Sequence, residues 1–297
     1  MSKKSPSEPV IEPVIETSSQ ETENCSASSP PRNAKPLEES SVGLLSKKVG
    51  LVMGLANDHS IAWALSEALY AAGAELAFTH LPSPSNERRV RGLVEPKGAK
   101  MIFPCDVQND EDVIRTFDMV KSTYGRLDFL IHSIAFAPPM ELKNPYVNMS
   151  RAGWHLAMDI SVYSLVAVCR AAAPLMTEGG AIITVSYYGG EKVVPGYNMM
   201  GICKAALEHS VRYLAWDLGR QNIRVNAISA GPMRTLSSAG ISHFDKMRQH
   251  AVKKAPLNRD VEMEDLGNTG VYLLSHHSAG VTGEILHVDC GYNIIGL

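Results

Sequence analysis

Tyr197 and Lys204, a tyrosine and a lysine seven residues apart, are the pair of side chains best suited to chemistry in this sequence. Seven residues are close to two turns of an α-helix, so both side chains would lie on one face, about 10 Å apart along its axis. A phenol can stabilise negative charge that develops on a carbonyl oxygen, and an ammonium group can bind ribose hydroxyls. The alternative is that Tyr197 only begins an amphipathic helix and that Lys204 extends into water.

Short apolar runs alternate with longer helical patterns from residue 47 onward. The runs typical of strands cover residues 49–53, 74–79, 101–103, 127–132, 181–186, 224–228 and 284–288. The helical patterns cover about residues 60–72, 87–95, 111–124, 150–176, 197–219 and 264–275. This alternation predicts an α/β fold: a single doubly wound, Rossmann-type domain with a parallel sheet of about seven strands and helices on both faces.

The loops that follow the strands are the candidate binding sites, because doubly wound sheets bind ligands at the carboxyl ends of their strands. Gly54 permits a tight turn, and Ser60 would either cap the next helix or donate to a pyrophosphate oxygen at its N-terminus. Asp106 follows the third strand, where it could accept a hydrogen bond from an adenine amino group, and the small Ser133 follows the fourth. Each is more often an ordinary turn, but together they favour a dinucleotide, although the G-x-G-x-x-G fingerprint is absent.

The end of the second strand leaves the choice between NAD and NADP open. His80 and Leu81 stand where an acidic residue normally binds the adenosine ribose, and no lysine or arginine is adjacent. Arg88, Arg89 and Arg91 on the next helix are a basic cluster that could bind a 2′-phosphate. Their simpler interpretation is a solvated helix face.

The first 46 residues differ in composition from the rest of the chain. They hold seven glutamates against four basic residues, six of the 17 prolines and no aromatic side chain. Such a segment cannot bury enough apolar surface to offset the entropy of ordering it, so residues 1–46 are predicted to be a disordered tail and residues 47–297 the folded domain. A targeting role is the alternative, but the segment lacks the apolar core of a secretory signal and is too acidic for a transit peptide. Within the folded domain, residues 232–257 interrupt the alternation and are predicted to form a lid.

Charge and cysteine content limit which binding partners and which cellular compartment are expected. The net charge of −3 resides in the tail, which leaves 24 basic and 24 acidic residues and argues against a nucleic-acid or anionic-membrane surface. No apolar run in the sequence approaches membrane-spanning length. Five widely spaced cysteines fit neither a disulfide framework nor a metal site, so we expect a cytoplasmic protein without a metal. Cys203 is expected to be a buried, inert thiol.

Four features together make the sequence resemble a known family. They are residues 54–62 (GLANDHSIA), residues 132–138 (HSIAFAP), the order Tyr187, Tyr197, Lys204, and residues 225–235 (VNAISAGPMRT). The sequence resembles the short-chain dehydrogenase/reductase superfamily over about residues 46–297, and most closely its divergent branch, the bacterial NADH-dependent enoyl-acyl-carrier-protein reductases. Carbonyl-reducing members place a lysine four residues after the tyrosine and a serine about thirteen before it, whereas Gly201 and Thr184 stand there in this chain.

The resemblance implies a reaction and a role for each catalytic residue. NADH would deliver a hydride to the β-carbon of a trans-2-enoyl thioester on acyl carrier protein, the last step of the elongation cycle of type II fatty acid synthesis. Tyr197 would hydrogen-bond the resulting enolate oxygen, Lys204 would hold the nicotinamide ribose, and Tyr187 would line the thioester site. The proton donor to the α-carbon stays open among Tyr197, water and a relay through the ribose hydroxyls.

The same resemblance implies which residues contact each ligand. Those expected at the cofactor are Gly54, Ser60, Ile61, Asp106, Val107, Ser133, Ile134, Lys204, Met233 and Thr235. Those expected at the acyl substrate are Phe136, Ala137, Tyr187, Tyr197, Met200, Ile241, Phe244 and Met247. The last three are spaced to face inward from a lid helix, or they are simply core residues.

Partners also follow from the resemblance. An acidic acyl carrier protein would dock on positive charge near the lid, for which Lys246, Arg248, Lys253 and Lys254 are candidates, or these residues form an ordinary solvated face. The apolar segment 291–297 and the long helices fit the homotetramer common in the family. Two other functions stay open: a short-chain dehydrogenase that acts on a ketone or alcohol, and a dinucleotide-binding sensor with the same fold.

Overall fold

The structure, a computed structural model, describes residues 43–235 and 244–296. Its centre is a sheet of seven parallel strands in the order β3-β2-β1-β4-β5-β6-β7. The strands are β1 Val49–Met53, β2 Glu75–His80, β3 Ile102–Pro104, β4 Phe129–His132, β5 Gly180–Tyr187, β6 Ile223–Ala230 and β7 Ile285–Val288. The predicted doubly wound α/β fold is confirmed.

Helices cover both faces of this sheet. They are α1 Ile61–Ala71, α2 Pro84–Val94, α3 Asp110–Tyr124, α4 Pro139–Lys143, α5 Arg151–Met158, α6 Ser164–Ala172, α7 Asn198–Gly219, α8 Phe244–Lys254 and α9 Met263–Leu274. Apolar residues of α1, α2 and α9 form one core cluster against the sheet. Residues of α3, α6 and α7 form the cluster on the opposite face.

The strand order reverses between β1 and β4, and the backbones approach closely there. The Ser133 backbone N–H donates to the Met53 carbonyl at 2.9 Å. Gly54 follows β1 with φ of +93°, and a Cβ built on it would lie 2.1 Å from the Ser133 carbonyl oxygen. Only glycine fits both the left-handed conformation and this contact, so the sequence keeps the crevice at the reversal point free of side chains.

Ordered packing begins just before the predicted boundary at residue 47. Leu45 is buried in the cluster formed by α1 and α9, and its backbone N–H donates to the Ala72 carbonyl at 2.9 Å. Residues 1–42 lie outside the described chain, so the disordered tail stays a prediction.

The helix predicted over residues 150–176 is interrupted rather than regular. A π-helical turn at Asp159–Tyr163 separates α5 from α6, and a short 3-10 turn, Ala173–Leu175, ends the stretch. The whole run, Arg151–Leu175, contains an 18-residue window with a mean hydropathy of 1.5, so by length and composition it could cross a membrane. The expectation that no apolar run approaches that length was wrong. Half of the window is buried, and α6 packs on α3 and α7, as is usual for a core helix.

Candidate active site

The carboxyl end of β5 and the start of α7 bring the two predicted catalytic tyrosines together. Tyr187 is the last residue of β5, and Tyr197 immediately precedes α7. Their rings meet edge to face, with centroids 4.9 Å apart and planes at 72°. Gly189 in the intervening turn permits this contact, because a Cβ there would lie 2.5 Å from the Tyr197 ring.

Burial keeps both phenols protonated. Desolvation raises the pKa of Tyr187 to about 12, and it raises the pKa of the more deeply buried Tyr197 further. Each hydroxyl is therefore a hydrogen-bond donor at neutral pH. In the low-dielectric surroundings of Tyr197, such a donor stabilises a developing oxyanion more strongly than water does.

Lys204 points inward from α7 to the same strand end. Its side chain is buried, and Nζ donates to the Val185 carbonyl at 2.6 Å, two residues before Tyr187. The interpretation in which Lys204 extends into water is therefore excluded. Burial lowers the pKa of Lys204 to about 8, so the ammonium form still predominates at neutral pH. A carbonyl accepts only one of its three protons here, and the others are suited to ribose hydroxyls.

Helix α8 contacts one member of the tyrosine pair. The Tyr187 hydroxyl donates to the Met247 sulfur at 3.4 Å, and the lid over residues 232–257 stays a prediction. Phe244 at the start of α8 is half-buried, as is Met247. Ile241, the third predicted member of this face, lies outside the described residues.

The remaining substrate-side residues lie around Tyr197. Ala137 and Met200 belong to the same buried apolar cluster as Tyr197. Phe136 is exposed over 44% of its surface, and its backbone is fixed because its N–H donates to the Ser161 Oγ at 2.9 Å while the Ser161 hydroxyl donates back to its carbonyl at 3.0 Å. A rigid backbone with an exposed ring can serve as one wall of an apolar pocket.

The predicted pyrophosphate turn has the geometry of a helix N-terminus. Ser60 precedes α1, and its Oγ accepts from the Trp63 backbone N–H at 3.3 Å. Its hydroxyl proton goes to the Asn57 carbonyl at 2.6 Å, so the capping interpretation of Ser60 is confirmed. Ile61 is the first residue of α1, where backbone N–H groups have no acceptor within the helix and are suited to an anion.

Other predicted cofactor residues lie at neighbouring strand ends. Ser133 and Ile134 follow β4 and are partly exposed, whereas Val107 after β3 is buried. Asp106 stabilises its own turn, because its Oδ1 accepts from the Gln108 backbone N–H at 3.1 Å.

Two predicted cofactor residues after β6 differ in their surroundings. Met233 packs against the core cluster on the α1 and α9 face, whereas the tyrosine pair lies on the α7 side. Thr235 is partly buried at the end of the described segment.

One arginine of the basic cluster after β2 is neutralised by carboxylates. Arg91 lies between Glu87, at 2.8 Å, and Glu95, at 2.9 Å. Arg89 reaches the first crossover, where its Nη1 donates to the Ala56 carbonyl at 3.4 Å. His80 itself is buried, and its Nδ1 donates to the Leu81 carbonyl at 3.1 Å.

One buried polar network at the site was not predicted from the sequence. His132, the last residue of β4, is fully buried between Thr184, at 2.9 Å from Nδ1, and Ser164, at 2.8 Å from Nε2. Since the Ser164 hydroxyl donates to the Ile160 carbonyl at 2.6 Å, it accepts from Nε2, and the Thr184 hydroxyl donates to the His132 carbonyl at 3.1 Å. Burial, with the nearby Lys204 charge, lowers the pKa of His132 to about 3, so the ring is neutral. A histidine in a strand that is otherwise apolar was the available signal.

A second buried group that the sequence analysis missed is Glu208, one turn after Lys204 on α7. The Ser186 hydroxyl donates to its Oε1 at 2.5 Å. The spacing of four residues from Lys204 could have identified it, but α7 carries several charged residues and only the packing shows which of them point inward.

Comparisons with known proteins find relatives that share about half of their residues with this chain. A family model described as enoyl-(acyl carrier protein) reductase matches residues 54–293. A Nostoc sp. protein named enoyl-[acyl-carrier-protein] reductase [NADH] FabI is 51% identical over 255 residues, which are 85% of this chain and 99% of its own. The protein of the same name from Aquifex aeolicus is 46% identical and matches 86% of this chain and 95% of its own.

Two crystal structures are similar over almost their whole length. The enoyl-(acyl-carrier-protein) reductase of Anaplasma phagocytophilum in complex with NAD is 49% identical, with a TM-score of 0.83 over 86% of this chain and 97% of its own. The Bacillus cereus enzyme with NADP+ and an indole naphthyridinone is 48% identical, with a TM-score of 0.84 over 86% of this chain and 100% of its own.

The neutral, buried His132 predicts an acid-sensitive fold. The unfolded state takes up a proton near pH 6.5 and the folded state only near pH 3, so His132 stabilises the protein above about pH 6.5 and loses that contribution as the pH falls. The free energy of unfolding falls by about 1.4 kcal/mol for each pH unit below 6.5. We expect His132→Asn to lower the melting temperature at pH 7.5 but to flatten its fall between pH 6.5 and 4.5. Melting curves for His155→Asn, which removes an exposed histidine, should keep the wild-type slope, and an equally steep fall in His132→Asn would contradict the assignment.

Proposed function

Since the chain belongs to the enoyl-(acyl carrier protein) reductase family, we propose that Tyr197, Lys204 and Tyr187 are its catalytic residues. The enzyme uses NADH to reduce the trans-2 double bond of enoyl thioesters carried by acyl carrier protein, a step of fatty acid synthesis. The observation that carries the proposal is the buried Tyr187–Tyr197 pair, which lies beside the inward-pointing Lys204 at the carboxyl end of β5. Carbonyl-reducing relatives carry a lysine four residues after the catalytic tyrosine and a serine about thirteen before it. Gly201 and Thr184 stand at these positions relative to Tyr197.

The residues at the strand reversal fit a dinucleotide. A Cβ would fill the turn at Gly54, and the N-terminus of α1 presents free N–H groups to a pyrophosphate. Lys204 has protons to spare for ribose hydroxyls, and Ser133 and Ile134 leave the end of β4 accessible. Bound NADH supplies the hydride for the β-carbon of the substrate.

Tyr197 has the main chemical role in this proposal. As hydride reaches the β-carbon, electrons move through the conjugated system onto the thioester oxygen. The Tyr197 hydroxyl, kept protonated by burial, donates a hydrogen bond to that oxygen and lowers the energy of the enolate. Protonation of the α-carbon then completes the reaction.

Lys204 and Tyr187 support this step. Lys204 binds the nicotinamide ribose and adds a positive potential to the site, which favours the enolate. Tyr187 packs against Tyr197 and, with Phe136, Ala137, Met200, Phe244 and Met247, forms the apolar wall for the acyl chain. Contact between Tyr187 and α8 excludes water from the reacting carbons.

Replacement of the catalytic groups tests the assignment. We expect Tyr197→Phe to lower kcat on a crotonyl thioester roughly 100-fold, because one oxyanion donor is lost while the ring is retained. Lys204→Ala should weaken NADH binding as well as lower kcat. The rate is followed by the loss of NADH absorbance, and NADH binding by fluorescence.

Tyr272→Phe, which alters an exposed tyrosine on α9, is the matched control and should behave as wild type. Faster reduction of a 3-oxoacyl than of a crotonyl thioester would favour a ketone reductase instead. Full biological activity of both the Tyr197→Phe and Lys204→Ala variants would favour a dinucleotide sensor.

We also propose that acyl carrier protein docks beside α8. Lys246, Lys253 and Lys254 are exposed on this helix, whereas Arg248 is held by Asp260 and contributes less. These lysines lie on the helix that contacts Tyr187, so a docked acidic carrier would deliver its thioester next to the tyrosine pair.

Charge reversal on α8 tests this docking surface. We expect Lys246→Glu combined with Lys253→Glu to raise KM for enoyl-acyl carrier protein several-fold, with the effect shrinking in high salt. The KM for an uncharged N-acetylcysteamine thioester should not change. Lys121→Glu on α3 combined with Lys97→Glu, just after α2, is the charge-matched control at two exposed positions, and an equal effect of both variants on both substrates would exclude specific docking.

We further propose a cytoplasmic homotetramer that binds neither nucleic acid nor membrane. Exposed apolar side chains on α7, including Trp216 at 78% exposure, support burial of this helix in an interface. Four cysteines of the described chain, Cys105, Cys169, Cys203 and Cys290, are free thiols, which suits a reducing compartment. Sedimentation of the enzyme from the cytosolic fraction should give about four times the chain mass of 32.2 kDa. A monomer mass, or recovery with membranes, would contradict the proposal.

A further inference from the structure

Lys204 has a buried acidic neighbour that the proposed reaction does not use. Lys204 and Glu208 lie one helical turn apart on the same face of α7, and both are only 5% exposed. They bind adjacent residues of β5: Nζ of Lys204 donates to the Val185 carbonyl, and Oε1 of Glu208 accepts from the Ser186 hydroxyl. Both charged groups therefore lie between α7 and the strand end, one helical turn apart.

The turn after β5 closes over this pair. A Cβ on Gly190 would lie 2.9 Å from the Glu208 Oε1, 3.0 Å from the Ala205 N and 3.1 Å from the Lys204 carbonyl carbon. Backbone, rather than a mobile side chain, thus covers the Glu208 carboxylate and the Lys204 segment of α7. A buried ion enclosed in this way is tolerated only if a compensating charge or hydrogen bonds accompany it.

We propose that Glu208 is the counter-ion of Lys204: its carboxylate keeps the ammonium charged and thereby sets the pH range in which the enzyme binds NADH. Glu208 is a positioning residue in this proposal, because it acts through Lys204 and does not touch the substrate. The inference rests on the proposed role of Lys204 at the cofactor ribose.

Burial and Glu208 have opposite effects on the pKa of Lys204. Desolvation lowers the pKa of Lys204 to about 8, and the negative charges of Cys203 and Glu208 act in the opposite direction. The Cys203 thiol does not supply such a charge at neutral pH, because burial raises its pKa to about 11. Of these two groups, Glu208 is then the one that can supply a negative charge.

Within residues 43–235 and 244–296, two titratable groups on other segments near Lys204 carry no compensating charge. His132 on β4 is neutral, and the Tyr197 phenol is protonated. Removal of the Glu208 charge would therefore leave the ammonium without an anion and lower its pKa.

Glu208 itself faces groups of both signs. Burial raises the pKa of its carboxyl, whereas the hydrogen bond from Ser186 lowers it. Glu191 also raises this pKa, and Arg212 and His287 lower it. Glu191 lies 2.7 Å from His287 and is much more exposed, so it acts at the rim of the site and not on Lys204.

The replacement Glu208→Gln removes the charge and keeps the shape and the hydrogen bond with Ser186. Kd for NADH is measured by NADH fluorescence as a function of pH. We expect the alkaline limb, the pH range in which binding weakens as the pH rises, to lie about one pH unit lower than in the wild type. Affinity should be close to wild type at pH 6 and several-fold weaker at pH 8. The alkaline limb of kcat/KM should move with it, while Glu191→Gln leaves both limbs in place.

A second variant separates charge from structure. Arginine stays charged over the whole accessible range, so Lys204→Arg should flatten the alkaline limb, and adding Glu208→Gln to it should no longer shift that limb. An unshifted alkaline limb in Glu208→Gln, or an equal loss of affinity at every pH, would overturn the counter-ion role. If Lys204→Ala binds NADH like wild type at every pH, the proposed role of Lys204 itself fails, which is a different result.

Discussion

The hydrogen bond from the Lys204 Nζ to the Val185 carbonyl is the contact on which the site depends. It ties α7 to the end of β5, and those two elements carry all three proposed catalytic side chains. Because Val185 lies two residues before Tyr187, the bond also fixes the position of α7 along β5. Tyr197 at the start of α7 is thereby held against the Tyr187 ring. A shift of one helical turn would separate the two phenols.

Burial then determines which form each group takes. The same desolvation that keeps the Tyr197 hydroxyl protonated makes the Lys204 ammonium less stable, so one environment helps the hydrogen-bond donor and works against the cation. The protein meets this conflict with backbone carbonyls and short hydroxyl side chains. Val185 accepts from Lys204, Ser186 donates to the Glu208 carboxylate, and both lie in β5. The Lys204 ammonium and the Glu208 carboxylate therefore each have a hydrogen-bond partner although both are buried.

The sheet could be predicted from the sequence because its strands are short, continuously apolar and separated by helical patterns. The pairing of Tyr197 with Lys204 could also be predicted, since a spacing of seven depends only on helical geometry. The π-helical turn at Asp159–Tyr163 could not, because it arises where the Ser161 side chain bonds the backbone of Phe136 and the Ser164 hydroxyl bonds the Ile160 carbonyl. The Ser161 contact joins residues 25 positions apart, and no local pattern encodes it.

The polar groups that escaped prediction have a common physical origin. His132, Glu208 and Ser186 would each be unfavourable in an apolar core as isolated side chains, and each is made stable by a partner distant in sequence. Their identities gain meaning only when β4, β5 and α7 come together. The sheet and its loops can therefore be inferred from patterns of hydrophobicity, whereas the electrostatic support of the site follows from tertiary contacts. Since such support sets the charge of Lys204, the working pH range of an enzyme with this fold is a property of the residues behind the catalytic side chains as much as of those side chains themselves.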